Sequence, residues 1–115
     1  MIVNDCNVPH GTKFDTDKPR FDLIPPDSEK WIATVLAHGA KKYAPNNWTG
    51  LQVSRVIAAM RRHLNALESG EDIDPESGYP HHAHVATNAV FLSHLLDNYP
   101  EQDDRSFKHI RNNND

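Results

Sequence analysis

The stretch RHLNALESGEDIDPESGYPHHAHVATNAVFLSHLL, from Arg62 to Leu96, decides how the rest of the chain folds. It joins two segments of helical apolar spacing through a short acidic loop, residues 70–80. Gly70 ends the first helical pattern, and Pro75 and Pro80 prevent another helix before about His81, because proline lacks an amide donor. The stretch therefore predicts two helices joined by a constrained turn.

The turn between these helices carries several carboxylates, which are Glu71, Asp72, Asp74 and Glu76. A stiff turn can hold carboxylates at fixed separations, as a hard divalent cation such as Mg²⁺ or Mn²⁺ requires. The alternative is a polar connector between two helices, with its acids solvated. Taken alone, the acids leave both interpretations open.

The helix after the loop is apolar on nearly every side, yet it carries three polar residues on one face. His81, His84 and Asn88 are spaced at i, i+3 and i+7, so they line the same side of its first turns. Burial without hydrogen-bond partners would cost several kcal/mol. We therefore expect partners among the acids of the loop. The alternative is a set of core histidines that donate to backbone carbonyls or to Asp74.

Composition limits the class of protein. A chain of 115 residues forms one small domain, and its formal charge of -4 disfavours nucleic-acid binding. No apolar run is long enough to span a membrane, no signal-peptide pattern is present, and the single Cys6 fits a reducing compartment. These features predict a cytoplasmic protein. A hydrophobic content of 37% is low for a self-sufficient core, so we expect a partner subunit to bury part of it.

Three helices account for the apolar periodicity of the chain. The first is predicted from Asp27, as its N-cap, to about Tyr43. The second spans about Gln52 to Glu68, and the third runs from about His81 to Leu96. No segment alternates apolar and polar residues as a strand would. The expected fold is all-α, a small bundle of three main helices completed by oligomerisation. We expect a homodimer or homotetramer, with the third helix near the interface.

The segments outside the bundle differ in character. Residues 1–26 form an extended N-terminal arm, residues 27–97 the helical domain, and residues 98–115 a polar tail. Lys18 and Arg20 make the arm basic, which suits a lid that reaches phosphate groups. The alternative is an arm that packs on the bundle without any chemistry.

The end of the first helix and the turn after it hold candidate nucleotide contacts. His38 and Lys42 extend an apolar face, and Asn46, Asn47 and Trp48 follow in the turn. The lysine could neutralise a phosphate, while the two amides and the indole contact a base or sugar. The alternatives are a lysine that interacts with the helix dipole and a tryptophan that caps the core. At the end of the second helix, Arg62 and His63 bring further cationic groups next to the acidic loop.

Three blocks together resemble one known family. They are KPRFDLIPP at 18–26, HGAKKYAPNNW at 38–48, and RHLNALESGEDIDPESGYPHHAHVATNAVFL at 62–92. They look like the dATP/dGTP diphosphohydrolase N-terminal domain of phage proteins, which is grouped with the all-α, MazG-like nucleoside triphosphate pyrophosphohydrolases. The resemblance implies cleavage of a purine deoxynucleoside triphosphate to monophosphate and pyrophosphate, with a divalent metal. It also implies a phage protein at work in the host cytoplasm.

The resemblance also suggests roles for individual residues. MazG-like enzymes usually carry E-E-x-x-E and E-x-x-D motifs; this chain has only the second, as Glu71-x-x-Asp74 on the turn. A mixed metal site is therefore expected, formed by Glu71, Asp74 and one or more of His63, His81 and His84. It should tolerate Mn²⁺ better than a site made of carboxylates alone. The expected catalytic residues are Glu71, Asp74, Glu76 and Arg62. The expected substrate-binding residues are Lys18, Arg20, His38, Lys42, Asn46, Asn47, Trp48 and Asn88.

Other functions fit the same residues. A nucleotide-binding protein without turnover would use the same cationic pocket, and the missing E-E-x-x-E motif favours it. A different metal-dependent phosphohydrolase could use His63 and His84 as ligands. The last alternative is a structural helical module with a well hydrogen-bonded loop.

Overall fold

The computed structural model describes residues 16–108. The predictions for Cys6, for the first part of the arm and for the end of the tail lie outside these residues. The helices are α1, Pro26–Lys42; α2, Val53–Glu68; and α3, His81–Asn98, with short 3-10 turns at Phe21–Leu23, Asn47–Gly50 and Pro100–Gln102. Between residues 16 and 108 the β-type pairing is limited to one isolated bridge, Ile73 to Pro80. The predicted all-α class is confirmed.

The central helix of the bundle is α3. It packs extensively on α2 and also on α1, so both helices are held by the same element. The core consists of Val53, Val56 and Leu95, with Trp48, Ile57, Phe91, Leu92 and Tyr99 packed around it. This core is centred on the α2–α3 contact, whereas α1 contributes no fully buried residue.

The helices begin and end where proline, glycine and asparagine predict, with one correction. Asp27 is not the N-cap of α1; that position is held by Pro25, and Pro26 is the first helical residue. Proline at this position costs the helix no hydrogen bond, because the first amides of a helix have no acceptor within it. Asp27 instead lies in the first turn, where its charge favours the helix dipole, and it accepts a hydrogen bond from the Ser28 N–H at 3.1 Å.

The residues after α3 are held against the start of α2. Asp104 accepts hydrogen bonds from the Ser54 N–H at 2.8 Å and from the Ser54 hydroxyl at 2.6 Å. Gln102 donates to the carbonyls of Thr49 and Leu51. Asp104 therefore caps the N-terminus of α2 from 50 residues away.

None of the helices between residues 16 and 108 has both the length and the hydropathy needed to cross a bilayer. Association of the chain with itself stays a prediction. Several large apolar side chains remain exposed on the single chain, among them Leu64, Val90 and Leu96. A second copy that covered some of them would enlarge a small core.

Candidate functional site

An open cleft of about 1030 Å³ lies between α1, the turn after it, and the facing parts of α2, the acidic loop and α3. Its walls carry titratable, amide and aromatic side chains, namely His38, Lys42, Tyr43, Asn46, Asn47, Trp48, His63, Asp74, Glu76, Ser77, His84 and Phe91. Small apolar residues of α1, such as Ala37 and Ala40, complete the lining. The cleft is large enough for a nucleotide-sized ligand.

Three side chains of the types that can ligate a metal ion meet in the lining of this cleft. His63 comes from α2, Asp74 from the acidic loop and His84 from α3, and each offers one ligand atom within 4.8 Å of the others. The two imidazole rings stack, with centroids 4.5 Å apart and an interplanar angle of 7°. We call this group the three-ligand cluster.

Asp74 is fixed by the turn that contains it. Its carboxylate accepts hydrogen bonds from the Glu76 N–H at 3.1 Å and the Ser77 hydroxyl at 3.0 Å, and its own N–H donates to the Tyr79 carbonyl at 2.9 Å. Burial alone would raise the pKa of Asp74, but these hydrogen bonds and the nearby His84 lower it below its ordinary value. The side chain is therefore ionised at neutral pH, although it is only 13% exposed.

The two histidines of the cluster favour the neutral state. Burial lowers the pKa of His63, and the neighbouring His84 and His81 lower it further. Burial also lowers the pKa of His84, although the charge of Asp74 opposes this. Neutral imidazole is the form that binds metal ions, so the cluster needs to release few protons to do so.

A second layer of hydrogen bonds lies behind the cluster. The Glu71 carboxylate is 2.8 Å from Nε2 of His81, and Nδ1 of His81 is 2.8 Å from Nδ1 of His63. On the other side, Nε2 of His84 is 2.7 Å from the Ser77 hydroxyl and 3.5 Å from the Asp74 carboxylate. The expectation that acids of the loop partner the polar face of α3 is confirmed for His81 and His84. It is wrong for Asn88, which donates to the His84 carbonyl.

The structure brings many of the predicted site residues together. His38, Lys42, Asn46, Asn47, Trp48 and Glu76 line the same cleft as the three-ligand cluster. Trp48, however, stacks on Phe91 with centroids 4.6 Å apart and belongs to the packing around the core. Glu71 and His81 lie behind the cluster, and Glu71 is 53% exposed; their assignment as metal ligands stays a prediction.

Other predicted residues lie away from the cleft. Lys18, Arg20 and Arg62 are exposed and are absent from its lining. Arg20 is paired with Asp22 through two hydrogen bonds, at 2.8 and 2.7 Å. Asn88 is buried and donates to the His84 carbonyl at 2.8 Å, so it stabilises the first turns of α3.

Two cleft residues were not singled out from the sequence. Ser77 links Asp74 to His84, as described above, and Tyr43 lines the cleft with its ring 66% exposed. The signal for Ser77 was its place in the turn, three residues after Asp74, because serine is one of the residues that favour turns through the hydrogen bonds of its hydroxyl. Tyr43 gave no signal beyond its place at the end of α1.

The donor set of the cluster fits a divalent transition metal. Two neutral imidazoles and one carboxylate suit Mn²⁺ and its neighbours better than Mg²⁺, which prefers oxygen ligands. With three protein ligands in the lining of an open cleft, further coordination positions would remain for substrate or water.

The charge of the cleft bears on its ligand. Its ionic lining in the described part of the chain consists of one cation, Lys42, and two carboxylates, Asp74 and Glu76. The lining is therefore net negative by one charge when its three histidines, His38, His63 and His84, are neutral. A polyphosphate would be repelled from this cleft unless positive charge were added to it.

Comparison with known proteins adds a family assignment. Residues 9–105 match a family model described as "dATP/dGTP diphosphohydrolase, N-terminal". A protein of Salmonella phage PMBT28 named dATP/dGTP diphosphohydrolase is 43% identical over 95 residues, which cover 83% of this chain and 33% of that protein. The chain thus spans about a third of the length of this relative. No solved structure matches the chain.

Proposed function

The chain belongs to the dATP/dGTP diphosphohydrolase N-terminal family, and from that premise we propose that it is a metal-dependent pyrophosphohydrolase. Its substrate would be a purine deoxynucleoside triphosphate, cleaved to monophosphate and pyrophosphate. The observation that carries the proposal is the cleft itself, in which the three-ligand cluster shares one cavity with Lys42, Asn46 and Asn47.

Metal dependence is supported by charge. A nucleoside triphosphate brings three to four negative charges to a lining that already has a net negative charge. Lys42, the one cation of the described lining, is already outweighed by Asp74 and Glu76. His63, Asp74 and His84 would hold a divalent cation, and when bound it supplies the positive charge that phosphate oxygens require. We expect Mn²⁺ to serve better than Mg²⁺, because two of the donors are imidazoles.

The remaining cleft residues have distinct tasks. Lys42, the last residue of α1, binds a phosphate oxygen. The amides of Asn46 and Asn47 can both donate to and accept from the edge of a base. Asn46 is held in the left-handed region at φ 63°, and its carbonyl accepts the Thr49 N–H at 3.1 Å and the Thr49 hydroxyl at 2.7 Å. The turn is therefore fixed, with the amides at the cleft wall.

Glu76 is the proposed general base. It lines the cleft two residues after Asp74, and its side chain is exposed. A water oxygen attacks the α-phosphorus and forms a P–O bond, while the bond from that phosphorus to the bridging oxygen breaks. The electron pair leaves with pyrophosphate, and the proton of the water passes to the Glu76 carboxylate.

A nucleotide-binding protein without turnover is the second candidate. One observation favours it: among residues 16–108 no arginine lines the cleft, although arginine is the usual bidentate partner of phosphate in phosphoryl transfer. Arg62, which the sequence suggested for this task, is exposed outside the lining.

One experiment separates the candidates. The purified chain is incubated with each dNTP and NTP, with Mn²⁺, with Mg²⁺ or with a chelator, and the products are separated by chromatography. Monophosphate plus pyrophosphate from dATP or dGTP, formed with Mn²⁺ and lost in Asp74→Asn, is the expected result. Asp72→Asn is the matched control, since Asp72 is an exposed acid of the same loop outside the cleft lining. Retained nucleotide without products would favour the binding protein.

A further inference from the structure

Two residues that the mechanism does not use form a connected pair behind the three-ligand cluster. Glu71 is 2.8 Å from Nε2 of His81, and the other nitrogen of that ring, Nδ1, is 2.8 Å from Nδ1 of His63. His81 is only 4% exposed, and neither residue of the pair lines the cleft. The pair therefore reaches the site only through His63.

For a neutral His81 ring, hydrogen-bond chemistry fixes which group donates in each of these two contacts. An ionised carboxylate only accepts hydrogen bonds, so Nε2 of His81 must carry the proton that faces Glu71. In the neutral ring, Nδ1 of His81 then holds a lone pair and can only accept. His63, 2.8 Å away, must donate to it through its own Nδ1–H. The lone pair of His63 is thereby left on Nε2.

We propose that Glu71 and His81 are positioning residues that hold His63 in its Nδ1–H tautomer and keep Nε2 free to bind a divalent cation. This inference rests on the metal site of the proposed function and deepens it. It also gives Glu71 and His81 a different task from the one their sequence pattern suggested, since they act on a ligand and are not ligands themselves.

Holding His63 in one tautomer matters for metal binding. An isolated neutral imidazole exchanges its proton between the two nitrogens, and in one of the two forms Nε2 cannot bind a metal. The backbone also restrains His81, because its N–H donates to the Asp72 carbonyl at 2.8 Å. Removing such a partner of a histidine ligand typically weakens metal binding by about 10- to 100-fold.

The test reads the tautomers directly in the metal-free chain. Long-range ¹H–¹⁵N correlation spectra of the ¹⁵N-labelled protein at neutral pH distinguish Nδ1–H from Nε2–H for each ring. We expect Nδ1–H at His63 and Nε2–H at His81 in the wild type. Glu71→Ala should leave His63 as a mixture of tautomers and weaken Mn²⁺ binding, measured by calorimetry, by about 10-fold, the lower end of that range, because Glu71 acts on His63 through His81.

Two further variants keep the test specific. Glu71→Gln should restore most of the affinity, because its carbonyl oxygen can still accept from His81. Asp72→Ala is the matched control, since it removes a neighbouring exposed acid whose side chain has no hydrogen-bond partner within residues 16–108. It should change neither the tautomers nor the affinity. Glu71 is half exposed, so its replacement should leave the fold intact, which circular dichroism verifies.

The outcomes separate this inference from the proposed function. An Nε2–H tautomer at His63 in the wild type, or unchanged tautomers and unchanged affinity in Glu71→Ala, would overturn the positioning role. The expected tautomers and their loss in Glu71→Ala, in a chain that binds no Mn²⁺, would support the control of His63 and overturn the metal site instead.

Discussion

Lys42 gives the sharpest test of the charge argument for the cleft. It is the last residue of α1 and the one cation in the described lining, whereas its neighbour Lys41 is equally exposed but absent from that lining. Lys42→Met and Lys41→Met remove the same charge and nearly the same side chain at adjacent positions. They differ in whether the charge lies in the cleft, where Lys42 Nζ is also 5.2 Å from the centroid of the Tyr43 ring.

The expected magnitude follows from the exposure and charge of Lys42. A hydrogen bond between a charged group and its partner contributes about 1.5–3 kcal/mol, and the lower half of that range applies because Lys42 is exposed to solvent screening. A loss of about 1.5–2 kcal/mol corresponds to roughly 10- to 30-fold weaker nucleotide binding. For Lys41→Met we expect less than about 0.5 kcal/mol, or roughly a twofold change.

The assay is calorimetric titration of the Mn²⁺-loaded chain with a dATP analogue whose α,β-bridging oxygen is replaced by methylene. This analogue binds without being cleaved, so affinity is measured apart from turnover. A repeat at high salt should narrow the difference between the variants, since screening weakens an exposed ion pair. Equal affinities of the two variants would refute the reasoning, because the charge of Lys42 would then contribute no more to nucleotide affinity than that of Lys41.

Three further predictions concern the fold. Leu95→Ala should lower the free energy of unfolding by about 3 kcal/mol, since Leu95 is fully buried; Leu96→Ala, at a residue 38% exposed, should cost under about 1 kcal/mol in the same urea titration. The pKa of Asp104 is lowered in the folded chain, chiefly by the hydrogen bond from the Ser54 hydroxyl. The ionised Asp104 therefore stabilises the fold above the pKa of an unfolded aspartate, about 4, and this stabilisation is lost as the pH falls through the lower pKa of the folded state. Thermal melting should therefore show a smaller acid-induced loss in Asp104→Asn than in the wild type; parallel curves would contradict the cap. Sedimentation equilibrium should give the wild type a dimer or tetramer mass and Val90→Asp a smaller one, whereas a wild-type monomer would contradict oligomerisation.

The boundaries of the helices could be predicted because the chain signals them strongly. Pro25 and Pro26, Pro45 and Gly50, and Gly70 and Pro80 flank the three periodic segments, and the observed ends lie within two residues of the predicted ones. The N-cap of α1 was wrong because Asp27 is a favourable cap residue in isolation. The double proline before it places the N-cap two residues earlier, at Pro25.

Pairing between histidines and acids could be predicted from the sequence, because a buried polar face of α3 requires hydrogen-bond partners and the acidic loop directly precedes it. Sequence spacing could not say which acid meets which histidine. Gly78, at φ 81°, helps fold the loop so that Asp74 meets His84 in the cleft and Glu71 meets His81 behind it. That distinction depends on the path of the turn.

The packing of the tail had no periodic signal. Asp104 and Gln102 hold their place through individual hydrogen bonds to Ser54 and to carbonyls near residue 50. Such contacts join residues about 50 positions apart, and no local pattern reports them. Trp48 likewise gave two interpretations from sequence, and its stacking on Phe91 supports the core cap.

The two sides of the cleft differ in how firmly they are held. The three-ligand cluster is carried by α2, α3 and the loop between them, which form the core. Helix α1, in contrast, has no fully buried residue, and its contacts include the edge-on aromatic pairs of Trp31 and His38 with Tyr79. Amide hydrogens of α1 should therefore exchange faster than those of α2 and α3. Outward displacement of α1 alone would widen the entrance of the cleft and leave the spacing of the three-ligand cluster unchanged.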